Sequence, residues 1–198
     1  GQVRLVVELG AGRTQVFHAL SRQPAPSDPM SLPGWTGRGA PVAVAGDLRA
    51  EALTLLAAEL FGAAEAAFGM ACDHIGTRRQ FGRPLSSFQT LRHRAARDWV
   101  ALEDIAVAIL DAAESAGTGR DALRRARIAK AIASDLAPRI VENALHAHGA
   151  MGFAAETGLD GHLFRVRHAA VCLGGARGHY AALGAALLQQ ASIPEPTT

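Results

Sequence analysis

Apolar residues recur at three- and four-residue steps through most of this chain. From Leu53 through Leu56, Leu60, Ala64, Ala67 and Ala71 to Ile75 they mark one face of a long helix, with Asp47 as its N-cap. Phe88, Leu91, Ala95, Trp99, Leu102, Ala106 and Ile109 mark a second helix running to about Ser115, where Gly117-Thr118-Gly119 stops it. A third begins near Asp121 with Ile128, Ile132 and Leu136 on its buried stripe. Pro138 predicts an interruption and a kink near Ala137, because an interior proline lacks a donor and clashes with the preceding turn. The pattern resumes from Ile140 to His146. Gly149 to Gly158 reads as a loop, and a last helical region, Leu159–Leu173 and Ala176–Gln190, is broken at Gly174-Gly175. Long amphipathic helices joined by short loops predict a mainly α fold, an antiparallel four-helix-type bundle.

Ahead of the bundle the period changes to two. Val3–Val7 and Thr14–Phe17 are β-like runs separated by Gly10-Ala11-Gly12, which reads as a hairpin. Those glycines are not a nucleotide fingerprint, since no helix follows them and no acidic residue stands at the required distance. Ser21 to Gly39, rich in Pro, Ser and Gly, reads as a loop, within which Trp35 is a packing residue, and Pro41–Ala45 as a last strand. The expected organisation is a β remnant with loop over residues 1–46, a helical domain over 47–192 and a polar, proline-containing tail over 193–198.

Composition narrows the classes. The chain has 198 residues, 49% of them hydrophobic, enough for one sizeable core. A net charge of +2 with basic residues spread along several segments argues against a nucleic-acid partner. Cys72 and Cys172 match no metal or redox spacing, and His146, His148, His162 and His168 form no helical ligand pair with a carboxylate, so no metal is expected. Without a charged n-region or an unbroken apolar run of bilayer length, the expectation is a cytoplasmic protein with free thiols and no membrane partner.

The densest chemistry lies between the first two long helices, from Thr77 to Gln89. Gly82 and Pro84 break the helical pattern, and Ser86 with Gln89 has the form of a capping box. Arg78, Arg79 and Arg83 make a cationic edge beside the flat ring of Phe81, a combination suited to a pyrophosphate and a ring system, although arginines in turns are most often solvated.

This segment, Arg-Arg-Gln-Phe-Gly-Arg-Pro-Leu-Ser-Ser-Phe-Gln, resembles the Arg-x-Gln-Phe-Gly-x-Pro-Ile-x-x-Phe-Gln segment of the acyl-CoA dehydrogenase family. Downstream, His146 to Phe153, His-Ala-His-Gly-Ala-Met-Gly-Phe, resembles that family's Gln-x-x-Gly-Gly-x-Gly-Phe, with His146 in place of Gln and Ala150 in place of the second Gly. Both motifs belong to the family's C-terminal helical half, so the resemblance covers roughly Asp47 to Gln190, and the first part of the chain resembles a piece of its middle β-domain. It implies FAD as cofactor and an acyl-CoA thioester as substrate, oxidised between its α and β carbons by a carboxylate base and the flavin. Carried over by position, the cofactor-binding residues are Arg78, Gln80, Phe81, Gln89, His146, Gly149 and Gly152, contributed to the FAD of a neighbouring subunit. Of the family's two places for the catalytic carboxylate, one falls near Gly174 or Gly175, where none stands. The other falls at Ala52, which leaves Glu51 as candidate, one residue and about 100° away on the helix. The N-terminal helical domain and the first half of the β-domain have no counterpart. Two functions follow: a subunit of an FAD-dependent acyl-CoA dehydrogenase acting within a homo- or hetero-oligomer, or a non-catalytic structural subunit that completes the FAD site of a homologous partner.

Overall fold

A computed structural model describes residues 5–10, 13–22, 35–37, 48–115 and 121–190, with the backbone alone for the first three segments and for Ala155. The chain forms two compact units, Gly1–Arg49 and Ala50–Thr198. In the first unit, β1 (Leu5–Gly10) and β2 (Arg13–Arg22) pair antiparallel, from Leu5 opposite His18 to Gly10 opposite Arg13, which is the expected hairpin. β2 runs on to Arg22, and β3 (Trp35–Gly37) joins it antiparallel with a register shift between Ala19 and Ser21. Strand therefore occurs at both ends of the stretch expected as loop; the β-forming pair Trp35-Thr36 is obscured in the sequence by its Gly and Pro neighbours. The expected strand over Pro41–Ala45, the cap at Asp47 and the tail lie outside the described residues.

The second unit is a helical bundle made of α1 (Arg49–Thr77), α2 (Gln89–Glu114), α3 (Ala122–His148), α4 (Leu159–Val171) and α5 (Ala176–Gln190). A two-stranded ribbon, β4 (Arg79–Gln80) and β5 (Arg83–Pro84), links α1 to α2. α3 is the central element, and α2, α4 and α5 all pack on it. One continuous core draws on α1, α2, α3 and α4, including Leu60, Ala64, Leu102, Ile105, Ile140, Val141, Leu159 and Val166. A satellite of Ala50, Leu53 and Ala126 joins the first turns of α1 and α3.

Small side chains set the packing. The buried stripe of α3 runs through Ala126, Ala129, Ala133, Ala137 and Ala144, with Ile140 and Val141, and not through Ile128, Ile132 and Leu136, which are half-buried. Alanines let helix axes approach closely, so the larger residues flank the contact instead of filling it. α3 is continuous through Pro138, where an interruption was expected; the buried residues on either side, Ala137 and Ile140, hold the helix in place despite one lost backbone bond. By length and mean hydropathy α1 is long and apolar enough to cross a membrane, although Glu51, Glu59, Glu65 and Asp73 leave it no unbroken apolar run of that length. Its Leu53, Ala57, Leu60, Ala64 and Ala67 are nonetheless buried in the bundle. Between α2 and α3, Asn143 Nδ2 donates to Asp98 Oδ1 at 2.8 Å. Burial pushes the Asp98 carboxyl up, while that bond and Arg94 pull it back down. A cavity of about 20 Å³ beside this pair, lined also by Cys72, Ile75 and Leu91, is the size of a single water.

Candidate functional site at the two ends of the bundle

The connection from α1 to α2 is a tight hairpin. Arg79 and Gln80 pair with Pro84 and Arg83, and the two turn residues, Phe81 and Gly82, have φ of 52° and 76°. Positive φ at both central positions is the conformation that suits the twist of a two-residue hairpin, but it normally selects Asn-Gly. Phe81 is strained there, and its ring is 89% exposed. The strain goes with an aromatic side chain held in solvent, which is the kind of outlier that points to function.

The three arginines have different duties. Arg79 Nη2 donates to the Gly82 carbonyl at 3.1 Å, closing the turn, and the Arg83 guanidinium stacks 4.1 Å from the centre of the Phe88 ring. Phe88 also meets Phe81 edge-on at 6.3 Å. Arg78 is anchored by its backbone, its N–H donating to His74 O and its carbonyl accepting from Leu85 N, and its exposed guanidinium makes no hydrogen bond or ion pair among the described residues. The expected capping box does not form. Leu85–Ser87 makes a turn of 3-10 helix, Phe88 occupies the N-cap position of α2 without a side-chain cap, and Ser87, not Ser86, donates to Pro84 O at 2.7 Å. That one extra turn leaves Gln89 exposed as the first residue of α2.

The second motif reaches the same end of the bundle. At the end of α3, Gly149 takes φ 63° and ψ −139°, a conformation that belongs to glycine, and its N–H donates to His146 O. A turn of 3-10 helix, Gly149–Phe153, follows. Gly152 is buried in it, where a Cβ would sit 2.5 Å from the Leu145 carbonyl oxygen; this glycine is required by the close approach of backbone to backbone. His146 is exposed. The link between the motifs is a pair of imidazoles: His74, one turn before Arg78 and not singled out from the sequence, lies against His148 with ring centres 4.2 Å apart and planes tilted by 30°. His148 Nδ1 lies 2.8 Å from the Ala144 carbonyl and so carries the proton. Burial, then His148 and Arg78, lower the His74 pKa. The end of α1, the hairpin, the start of α2 and the end of α3 thus form one exposed, cationic, glycine-bearing surface.

The opposite end holds the other candidates. Glu51 is in the first turn of α1, 27 residues before Arg78 and so roughly 40 Å from it along the helix. Its Oε2 is buried with no hydrogen-bond partner among the described residues. At the junction of α4 and α5 the described residues Cys172, Leu173, Gly174 and Gly175 include no carboxylate. Lys130, fully buried, donates there instead, to Ser134 Oγ at 2.7 Å, to Ala170 O at 3.0 Å and to Gly174 O at 3.2 Å. Desolvation lowers its pKa to about 8. His179 Nε2 donates to the same Gly174 carbonyl at 3.1 Å, and burial, reinforced by Lys130, lowers its pKa. These bonds hold a strained turn in which Leu173 has φ 56° and Gly174 φ 105°. The sequence signal for Lys130 was a lone cation on an alanine stripe. Among the described residues no group of three or more His, Cys, Asp or Glu is placed to hold a metal ion.

A sequence model of the acyl-CoA dehydrogenase C-terminal domain matches residues 37–188. The chain belongs to the acyl-CoA dehydrogenase family. A curated relative, 3-sulfinopropanoyl-CoA desulfinase of Paraburkholderia xenovorans, is 34% identical over 99 residues, which are 50% of this chain and 25% of that protein. Among solved structures, the ChsE4-ChsE5 complex from Mycobacterium tuberculosis matches with a TM-score of 0.74 at 22% identity, over 96% of this chain and 56% of that one. The FAD complex of PigA matches with a TM-score of 0.75 at 18% identity, over 89% and 52%. These likenesses establish the acyl-CoA dehydrogenase fold for the bundle. The chain spans about half the length of those solved chains, and its matched segment about a quarter of the curated relative.

Proposed function

We propose that this chain is a subunit of an FAD-dependent acyl-CoA dehydrogenase-like enzyme, taking part in α,β-dehydrogenation of an acyl-CoA thioester within an oligomer. The observation that carries this reading is the exposed end of the bundle, where a strained hairpin presents Phe81 to solvent and Arg78, just ahead of that hairpin, has an exposed guanidinium unpaired among the described residues. A dinucleotide suits those donors. Arg78 would hold pyrophosphate oxygens by charge-assisted bonds of roughly 1.5–3 kcal/mol each, Phe81 would cover an apolar ring, and Gln80, Gln89 and His146 add polar contacts at the rim. Gly149 gives close access to backbone amides, whereas the tight fit of Gly152 against Leu145 shapes the turn around it. When bound, FAD supplies the acceptor for the β hydride. The residues of this chain bind and orient it from outside a neighbouring subunit's pocket.

The carboxylate-free junction of α4 and α5 favours a second reading, a non-catalytic subunit that completes the FAD site of a homologous partner. Glu51 decides between the two. Visible absorbance of the purified chain, alone and with a homologous partner, reads flavin retention directly. Arg78→Ala is expected to weaken retention roughly tenfold or more, and unchanged retention would remove the phosphate role. Turnover abolished by Glu51→Gln identifies Glu51 as the base, and turnover indifferent to it assigns the base to the partner.

A further inference from the structure

α5 is attached to the bundle by polar groups. Of its 15 residues His179 alone is buried, and among the described residues the continuous core draws nothing from this helix. What holds it is a cluster beneath the turn that joins it to α4. The three N–H bonds of the Lys130 ammonium match three acceptors, Ser134 Oγ on α3, the Ala170 carbonyl on α4 and the Gly174 carbonyl in the turn, and His179 Nε2 donates to that same Gly174 carbonyl. All of these partners are neutral. No ion pair among the described residues uses Lys130, and a buried ammonium without a carboxylate keeps its proton at a cost. The other titratable and charged groups that bear on the cluster are Cys172 at the end of α4, which favours the ammonium, and Arg127 on α3, which opposes a charged His179. The turn itself is strained, with Leu173 at φ 56°.

We propose that this cluster is a proton-controlled clasp on α5: closed, it seals the Lys130 amine and the His179 ring beneath the turn, and open, it gives both to water, so that acidification drives the turn and the start of α5 away from α3. Burial sets the direction. In the closed form desolvation lowers Lys130 from its ordinary 10.5 to about 8, and burial, reinforced by Lys130, lowers His179 below its ordinary 6.5. In the open form both groups are hydrated and return to those ordinary values. The open form therefore binds more protons, and by linkage rising pH favours closure, first as pH climbs toward 6.5 through His179 and again from about 8 toward 10.5 through Lys130. Deprotonation leaves the closed cluster satisfied. A neutral amine keeps two N–H donors for the Ala170 and Gly174 carbonyls, and its lone pair accepts from the Ser134 hydroxyl, which turns to donate. The clasp needs no flavin and stands or falls apart from the cofactor reading.

The test is hydrogen exchange followed by mass spectrometry on the full chain from about pH 5.5 to about pH 9.5, with each rate divided by the exchange rate of an unstructured peptide at the same pH, and with circular dichroism to show that each variant is folded. The amides to follow are those of Gly174, which donates to Val171 O, and of Gly178 and His179, which both donate to Gly175 O. In wild type their protection is expected to rise roughly tenfold or more between about pH 7 and about pH 9.5, and to fall below about pH 6.5, while peptides around Leu102 and Ile140 in the core do not follow. Lys130→Met should abolish the alkaline rise. His179→Gln should abolish the acid fall and keep the alkaline rise, which tests the clasp even where Lys130→Met does not fold. Cys172→Ser should keep both. Wild-type protection that is flat or falls across the alkaline range, an alkaline rise that survives in Lys130→Met, an acid fall that survives in His179→Gln, or an equal change in the core peptides would overturn the clasp.

Discussion

Phe81 concentrates the tension between stability and use in one residue. A left-handed backbone at a bulky side chain is strained by about 1 kcal/mol, and Asn tolerates the same conformation well. Phe81→Asn is therefore expected to raise the stability of the bundle by about 0.5 kcal/mol in chemical denaturation, less whatever the edge contact to Phe88 contributes, while flavin retention in the complex falls. Gly152→Ala tests the reverse case: its Cβ would lie 2.5 Å from a backbone oxygen that cannot move freely, and a loss of about 2–3 kcal/mol is expected with no ligand present. The imidazole pair sets an acid limit. Because the folded pKa of His74 lies below its ordinary 6.5, the unfolded chain takes up the proton first as pH falls through that value. Stability should therefore decline below about pH 6.5, and His74→Gln should flatten that decline in a thermal melt series. Arg78, Phe81 and Gln89 were legible as candidates because residue type and order carry the resemblance. The strain at Phe81 was not, since Phe-Gly in a turn lacks the Asn-Gly signature and φ is set by the register of the ribbon.

At the scale of elements, most helix boundaries were legible to within a few residues, down to the break at Gly174-Gly175, because Gly and apolar periodicity act locally, whereas Pro138 was misread as a break that packing of α3 overrides. What the periodicity could not give was which stripe of α3 is innermost. Alanine is apolar enough for a core and small enough for a surface, so Ile128 and Ile132 looked like better core residues than Ala129 and Ala133. The start of α2 was misread for a related reason: Ser86 and Gln89 have the spacing of a capping box, but the ribbon places a separate 3-10 turn there and the helix begins at Gln89. Close alanine packing predicts intolerance of volume. Ala133→Leu at the centre of α3 is expected to destabilise by about 1–3 kcal/mol, measured by urea unfolding, whereas substitution at exposed Ala96 on α2 should change little.

For the whole molecule, the arginine-bearing hairpin and Glu51 stand at opposite ends of α1, and the chain spans about half of its solved neighbours. If the partner supplies the base, acyl-CoA turnover by the isolated chain is expected to be negligible in a dye-reduction assay, since loss of a general base alone removes roughly 10²–10⁴-fold. The buried ammonium of Lys130 has a further use. It is the one lysine in the sequence, so apart from the α-amino group the folded chain offers a chemical tag a single amine, and that amine is sealed beneath the turn joining α4 to α5. An acylating reagent can reach it once that turn opens, and peptide mass mapping separates its product from that of the terminus. The labelling rate therefore clocks the opening of the turn between α4 and α5, in the native protein, without a probe having to be built in.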